Sequence, residues 1–483
     1  MKKITCIVLT ILLALSLLCA NGTPEEQQAI FDSIIKNTTQ SYQSGRVPSS
    51  SAGSEIISRD MASLERLYQY LDKNYLWDID YDAVYEAMAI AMFDTLGDKY
   101  TYYVTEAESE DYQETVSGTY GGLGIYFTKT YLSFQDPEDE STIYAKITQV
   151  FPNTPSARAG LKAGDYIIEI DGEPVDEIEA TDCAKKMKGD PGSVVNLTIK
   201  RNDTTFTLSL TREIIVVPTV EYEMIDGQVA ILRILEFSTG TYSSISNALA
   251  DLAKMGMKKL ILDLRDNPGG DVDVTLAIAD MFISGSELLK ITYKDHSKDI
   301  IYKANDYTAV SPDVEVAILI NGGTASSAEI LSTAMKDNGR ATLFGTKSFG
   351  KGIMQMISSF GTGYTSITTA SFTGPSGNTI HKEGVTPDYE IEEITVLDEE
   401  LLEYTKLING TDVTDFVKEN PDYTEENISK FASKFADTGL REIVLKIVVR
   451  NMYLSQIDYD QRPLADITYD LTCKAAYEYL TGK

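Results

Sequence analysis

The fold is decided by the stretch VEVAILINGGTASSAEI, residues 314–330. Its first part, Val314–Ile320, is a short continuous apolar run, which is typical of a strand that is covered on both faces. Asn321-Gly322-Gly323 then predicts a turn, and Thr324 opens a helical stretch that we expect to stop at Asn338-Gly339. A strand that passes through glycines into a helix is the building unit of an α/β core.

Two earlier runs, VAILRIL from Val229 and KLILDL from Lys259, have the same continuous apolar character. The second run leads into the glycine-containing stretch LRDNPGG, Leu264–Gly270, and a helical stretch follows it. We therefore predict an α/β core over residues 213–395. Residues 396–483 are acidic and helix-rich, so they predict a C-terminal helical region that caps the core or serves in dimerisation.

Ser326 is a candidate nucleophile because small residues flank it at the point where the predicted helix begins. A tight turn there would expose its hydroxyl, and the N–H groups of the first helical turn would face a developing oxyanion. The plainer interpretation is that Thr324 or Ser326 only caps the helix. Glu329, in the first turn, is expected to interact with the helix dipole.

Lys351 is a candidate general base, since it lies between glycines in SFGKGIMQ, residues 348–355. A free lysine has a pKa near 10.4 and is a poor base at neutral pH, but burial in apolar surroundings lowers that pKa. A buried, neutral Lys351 could accept the proton of Ser326. Gln355 lies four residues further on, where it would share a face with Lys351 and orient its amine. The alternative is a surface lysine in a glycine loop.

Residues 117–212 predict a small β-rich module of short strands, Gly-Asp turns and one short helix. Three features carry a resemblance to PDZ domains: Gly122-Leu123-Gly124-Ile125, the stretch PSARAGL from Pro155 to Leu161, and Gly164-Asp165 before a strand. The resemblance implies that backbone N–H groups of the first of these bind the C-terminal carboxylate of a peptide, which adds a strand to the sheet. A structural module that binds no peptide is the alternative.

The chain from about residue 60 to residue 390 resembles the carboxy-terminal processing serine proteases, also called tail-specific proteases. These combine a PDZ domain with a Ser-Lys catalytic core. The motifs that carry the resemblance are LDLRDNPGG, NGGTASSAEI, FGKGIMQ and TGPSGNTIHKEGVTPD. It implies that Ser326 is the nucleophile, that Lys351 is the base and that Gln355 supports the base. The separation of 25 residues between Ser326 and Lys351 agrees with the family's spacing.

The resemblance also implies an oxyanion hole made of backbone N–H groups, from Ser327 and from Gly269 and Gly270 in the NPGG turn. Glycine in that turn permits close backbone approach, although a glycine pair needed only for positive φ is the plain alternative. The sequence departs from the family at Ser327-Ala328, where many members have Ala-Ser. This difference places a second hydroxyl beside Ser326.

The charge composition argues against a nucleic-acid-binding protein. The 483 residues contain 42 Lys and Arg against 73 Asp and Glu, a formal net charge of −31, whereas phosphate contacts need clustered basic side chains. The chain has only two histidines, His296 and His381, and it contains no HExxH or CxxC spacing. We therefore predict no metal and no cofactor.

The N-terminus predicts export from the cytoplasm. Two lysines precede a mostly apolar run, so residues 1–20 are interpreted as a signal peptide or a short membrane anchor, with a lipid anchor on Cys19 as a third alternative. Residues 21–58 predict a flexible linker, and residues 59–116 form an N-terminal helical region with the periodicity of two helices.

These features together predict an extracytoplasmic serine endopeptidase. Its PDZ domain would recognise protein or peptide substrates with a free C-terminus, and Ser326 would cleave them through an acyl-enzyme with Lys351 as general base. The alternative is a PDZ peptide-binding adapter whose core is not catalytic. Proximity to a membrane through the N-terminus stays open, as does a homodimer. The predicted fold class is an α/β catalytic core with an inserted PDZ domain and helical segments at both ends.

Overall fold

The computed structural model describes residues 51–109, 112, 114, 117–131, 140–361, 363–457 and 461–483. The predicted signal segment and the predicted linker up to residue 50 lie outside this part of the chain. The chain divides by its internal contacts into a unit that ends at Tyr85 and a second unit that runs from Glu86 to Lys483. Within the described ranges, no helix combines the length and the apolar character needed to cross a membrane.

The first unit consists of helix α1, Ser51–Asn74, and the beginning of helix α2, Tyr81–Asp94. The predicted pair of helices is confirmed, and the rings of Tyr68 and Tyr81 stack with their centroids 5.6 Å apart. The predicted linker ends too late, because α1 already begins at Ser51. The Ser-rich composition before residue 55 favoured the prediction of a linker. The apolar pair Ile56-Ile57 is the sequence feature that is consistent with an earlier helix start.

The predicted β-rich module lies in the second unit, after strand β1, Tyr102–Val104. Its elements are β2 Thr119–Gly122, β3 Ile125–Thr128, α3 Glu140–Ile143, β4 Ala145–Val150, α4 Pro155–Arg158, β5 Tyr166–Ile170, β6 Glu173–Pro174, α5 Ala180–Met187, β7 Val194–Arg201, β8 Thr204–Thr211 and β9 Glu213–Val216. An antiparallel sheet runs in the order β3-β4-β5-β7-β8, with β6 on β5, while β2 pairs with β9. Ile147, Ile167 and Leu197 are fully buried, so the module has its own hydrophobic core.

The α/β core follows the module. Its strands and helices are β10 Val220–Met224, β11 Val229–Ile234, α6 Thr241–Lys254, β12 Lys259–Asp263, α7 Val272–Asp280, β13 Glu287–Tyr293, β14 Ile300–Lys303, β15 Glu315–Ile320, α8 Ser327–Asp337, β16 Thr342–Gly345, β17 Ile353–Phe360, β18 Gly363–Thr373 and β19 Tyr389–Glu390. One sheet has the order β10-β11-β12-β15-β16-β19 and is parallel apart from β10. Ile231, Leu262 and Ile318 are fully buried, as expected of strands covered on both faces.

A second sheet has the order β1-β18-β13-β14, and β17 pairs along β18. Lys351 lies two residues before β17 begins, so this sheet sets the position of the candidate base. β1 pairs antiparallel with Tyr364–Ser366 of β18, which brings the segment after α2 to the same sheet. The predicted N-terminal helical region therefore also contributes a strand to the core.

The C-terminal helical region is confirmed. It contains the helices α9 Leu401–Asn409, α10 Asp412–Glu419, α11 Glu425–Lys434, α12 Glu442–Ser455 and α13 Leu471–Thr481. Phe416 and Phe431 are buried in a small core of their own, with ring centroids 5.1 Å apart. In contrast, Cys473 and Ala476 of α13 belong to a buried cluster with Leu319 of the parallel sheet, so the last helix is a layer of the core. The predicted fold class holds in all its parts.

Candidate active site

The site lies where two neighbouring parallel strands, β12 and β15, end and their loops meet. Ala325 N donates to the Asn267 carbonyl over 2.9 Å, and Thr324 Oγ1 donates to the Leu264 carbonyl over 2.8 Å. Ser326 then stands immediately before α8 with φ 54° and ψ −117°, a conformation that L-residues seldom adopt. Such strain persists only where the surroundings hold it in place, and it is common at functional residues.

The structure separates the two adjacent serines. Ser327 is fully buried, and its Oγ donates to the Gly270 carbonyl over 2.8 Å. Ser326 is only partly buried and keeps access to solvent. The extra hydroxyl therefore has a structural role, because it ties the start of α8 to the NPGG turn, and Ser326 stays the candidate nucleophile.

Two of the predicted oxyanion donors, Gly269 and Ser327, lie beside Ser326. A Cβ on Gly269, which has φ 103°, would lie 2.7 Å from Ser326 Cβ, so only glycine allows this approach. The Gly269 N–H, however, already donates to Asn267 Oδ1 over 2.8 Å. The Ser327 N–H is the first of α8, where no intrahelical acceptor exists. Because its N–H is already engaged, Gly269 is the weakest of the three candidates, and the oxyanion assignment to Gly269, Gly270 and Ser327 stays a prediction.

Glu329 does much more than the predicted interaction with the helix dipole. Its carboxylate is fully buried, and Oε2 accepts hydrogen bonds from the backbone N–H groups of Ser326 and Lys351, each over 2.8 Å. Oε1 accepts from the Gly350 N–H over 2.7 Å and from the Ser348 hydroxyl over 2.5 Å. One carboxylate therefore ties the backbone of the candidate nucleophile to that of the candidate base. The sequence signal that could have found it is Ser-x-x-Glu at the helix start.

Lys351 is partly buried, in line with what a neutral base requires. Burial lowers the pKa of its amine below the ordinary 10.5, and the charge of Lys99 adds to that effect, whereas Asp98 and Glu329 oppose it. Its Nζ lies 4.6 Å from the centroid of the Tyr100 ring. The direction of this shift is the one that the predicted role of Lys351 as a base requires, and that role stays a prediction.

Gln355 lies near the base, on β17, after a bulge between Met354 and Gln355. Its Nε2 donates to Thr368 Oγ1 on β18 over 3.1 Å. The Thr368 hydroxyl also hydrogen-bonds the carboxylate of Asp98, which faces Lys351. Gln355 therefore reaches the surroundings of Lys351 through Thr368 and Asp98, and direct support of the amine by Gln355 stays a prediction.

Sequence reasoning missed the segment Asp98–Thr101. Asp98 is held by the Tyr100 N–H and by the Thr101 hydroxyl, and Thr101 Oγ1 accepts from the Thr368 N–H in turn. These contacts put Asp98, Lys99 and Tyr100 beside Lys351, about 250 positions away in sequence. The available signal was a charged and aromatic run directly after the glycine that ends α2.

The two histidines lie in different surroundings. His296 is exposed and pairs with Asp299 over 3.4 Å. His381 packs with its backbone against Gly352, where a Cβ would lie 2.4 Å from its nitrogen. Across the described ranges, no group of three or more His, Cys, Asp or Glu side chains is arranged to hold a metal ion.

The predicted peptide-binding loop of the β-rich module is rigid at its core. Leu123 is buried, its carbonyl accepts from the Ser156 N–H over 3.1 Å, and the Gly124 carbonyl accepts from the Phe151 N–H over 2.9 Å. Tyr120 covers the loop, because a Cβ on Gly122 would lie 2.4 Å from its ring. Burial raises the pKa of Tyr120 to about 12, and its hydroxyl faces the N–H groups of Gly124 and Ile125. Peptide binding by this loop stays a prediction.

The chain is similar to known proteins. Residues 228–391 match peptidase family S41, and residues 146–201 match a PDZ domain family. A probable CtpA-like serine protease of Staphylococcus saprophyticus is 32% identical over 335 residues, which are 69% of this chain and 66% of that protein. One of Staphylococcus aureus is 29% identical over 334 residues, 69% of this chain and 65% of the relative. The match thus spans slightly less than two thirds of these relatives.

Among solved structures, a photosystem II D1 C-terminal processing protease is similar to this chain. The two are 25% identical, the match covers 68% of this chain and 86% of that one, and the TM-score is 0.40. The S41 match contains Ser326, Lys351 and Gln355, and the PDZ match begins after the Gly122–Ile125 loop.

Proposed function

We propose that this chain, which matches peptidase family S41 over residues 228–391 and a PDZ domain family over residues 146–201, is an extracytoplasmic serine endopeptidase of the Ser-Lys type. Ser326 acts as the nucleophile and Lys351 as the general base. The observation that carries the proposal is the single Glu329 oxygen that accepts from the backbone N–H groups of both residues. The extracytoplasmic part rests on the N-terminal sequence alone.

The proposed reaction uses these groups in two stages, acylation and deacylation. The neutral amine of Lys351 takes the proton of Ser326 Oγ as this oxygen attacks the scissile carbonyl carbon. The negative charge on the carbonyl oxygen is stabilised by the N–H groups of Ser327 and Gly270. The Lys351 ammonium then donates its proton to the leaving amine, and an acyl-enzyme on Ser326 remains. Water, activated by Lys351, hydrolyses the ester and restores both groups.

Substrate selection is proposed to lie in the PDZ domain. Its Gly122–Ile125 loop would bind the C-terminal carboxylate of a protein or peptide, and the bound chain would add a strand beside β3. Binding energy gained there would hold the scissile bond at Ser326. Variants of this loop should raise KM for substrates with a free C-terminus. Unchanged cleavage of such substrates would rule out a capture role.

The test is a cleavage assay on an unstructured peptide with a free C-terminus. Wild type should turn over, whereas Ser326→Ala and Lys351→Ala should lose turnover by several orders of magnitude. Ser297→Ala, in an exposed loop, is the control and should behave as wild type. Equal cleavage by all variants would refute the proposed dyad. Peptide binding without cleavage by any of them would instead favour the non-catalytic PDZ adapter.

A further inference from the structure

Two lysines share one aromatic ring at the base of the site. Lys351 Nζ lies 4.6 Å from the centroid of the Tyr100 ring, and Lys99 Nζ lies 4.9 Å from the same centroid. Lys99 Nζ is also 5.4 Å from the ring centroid of Phe349, two residues before Lys351. Because both distances end at one point, the two nitrogens are at most 9.5 Å apart, the sum of 4.6 Å and 4.9 Å.

We propose that Lys99 is a positioning residue for the reaction: its fixed positive charge beside the Tyr100 ring disfavours protonation of Lys351. The inference rests on the proposed function, because it concerns the general base of that mechanism. Lys99 is exposed, so water solvates its ammonium, whereas Lys351 is partly buried and its charged form loses solvation. A neighbouring cation is a known means of activating a catalytic lysine.

The Tyr100 ring makes this arrangement stable in both protonation states. The face of an aromatic ring attracts a nearby cation, which taken alone would favour the charged form of Lys351. With Lys99 at the same ring, the ring keeps one cation after Lys351 has become neutral. Lys99 thus keeps a cation beside the Tyr100 ring when Lys351 is neutral, and it makes the state in which both lysines are charged unfavourable.

Other charged groups face Lys351 and act against Lys99. Asp98, on the same segment as Lys99, and Glu329, at the start of α8, both favour the ammonium form. Two further titratable residues, His381 and Lys382, belong to the loop that packs against Gly350 and Gly352 on either side of Lys351. The effect of Lys99 must therefore be measured as a difference between variants that leave these groups unchanged.

The expected size follows from the distance. Two like charges no more than 9.5 Å apart repel each other, weakly in a water-like medium and more strongly at a protein surface of lower effective dielectric constant. Because Lys99 is exposed, we expect its removal to move the acid limb of the pH profile by about half a pH unit and its reversal by about twice that. Salt should reduce the shift, since the Debye length at physiological ionic strength is about 8 Å.

The experiment is the pH profile of kcat/KM for the full chain on a peptide with a free C-terminus. The acid limb reports deprotonation of the base. Lys99→Gln should move this limb to higher pH by about half a unit and Lys99→Glu by about one unit. Lys99→Arg keeps the charge and should leave it in place. Lys418→Gln, on exposed surface of α10, removes the same charge from the molecule and should also leave it in place.

The outcomes separate the two proposals. An unmoved acid limb in Lys99→Gln and Lys99→Glu, with activity abolished in Ser326→Ala, would overturn the role of Lys99 and leave the protease function standing. Equal shifts in Lys99→Arg and Lys99→Gln would also overturn it, because a structural contact rather than a charge would be responsible. Full activity in Ser326→Ala would overturn the proposed function first. A graded shift that 0.5 M salt diminishes is the supporting result.

Discussion

Replacing Glu329 by glutamine tests whether this carboxylate holds the nucleophile and the base together. The buried side chain accepts four hydrogen bonds, two at each oxygen. Glutamine has almost the same shape, but its amide nitrogen donates and cannot accept. Whichever way the amide is oriented, two of the four donors lose their acceptor and face an N–H group instead.

The magnitude follows from these bonds. A hydrogen bond to a charged group contributes about 1.5 to 3 kcal/mol, so losing two costs about 3 to 6 kcal/mol in the native arrangement. The loops that carry Ser326 and Lys351 would relax to avoid this cost, which moves the reacting atoms apart. A barrier increase of about 3 kcal/mol corresponds to a loss of roughly two orders of magnitude in kcat.

The assay measures kcat and KM for a peptide with a free C-terminus, together with the melting temperature and the far-UV circular dichroism. We expect Glu329→Gln to lower kcat at least about a hundredfold, with a lower melting temperature and a native spectrum. Glu329→Asp keeps the negative charge on a shorter side chain, so its kcat and melting temperature should lie between those of wild type and Glu329→Gln. Wild-type kcat and melting temperature in Glu329→Gln would refute the reasoning.

Two further predictions concern the base and the peptide loop. Burial lowers the pKa of Lys351, and a base must be unprotonated to act, so kcat/KM should rise with pH and level off below the ordinary lysine pKa of 10.5. The variant Lys351→Arg keeps its positive charge and should be inactive at every pH up to 10. Activity of this variant at high pH would contradict the assignment of Lys351 as the base. Tyr120→Phe removes a hydroxyl that faces the Gly124 and Ile125 N–H groups and would compete with a peptide carboxylate for them. One hydrogen bond contributes roughly 0.5 to 1.5 kcal/mol, so peptides with a free C-terminus should bind this variant about two- to tenfold more tightly, as measured by fluorescence anisotropy. The same peptide with an amidated C-terminus is the control, and weaker binding of the free acid would show that the hydroxyl contacts the ligand instead.

Local patterns in the sequence were sufficient to predict these elements and to select the candidate residues Ser326 and Lys351. The apolar run at 314–320 is β15, Glu315–Ile320, and the helix expected after the glycines is α8, Ser327–Asp337. The short helix of the PDZ module, Ala180–Met187, also lies where it was predicted. These features depend on side chains a few positions apart, so a single stretch of sequence contains the information.

How distant stretches meet at the site depends on tertiary packing and could not be predicted from local patterns. Glu329 was visible as a local cap, but three of its four donors, from Ser348, Gly350 and Lys351, lie 19 to 22 residues further on. Which of two adjacent serines is buried depended on Gly270, 57 residues earlier. The segment around Lys99 joined the site only because β1 pairs with β18. No periodicity encodes such pairings, since they result from the packing of whole strands and helices, which brings residues far apart in sequence within hydrogen-bonding distance.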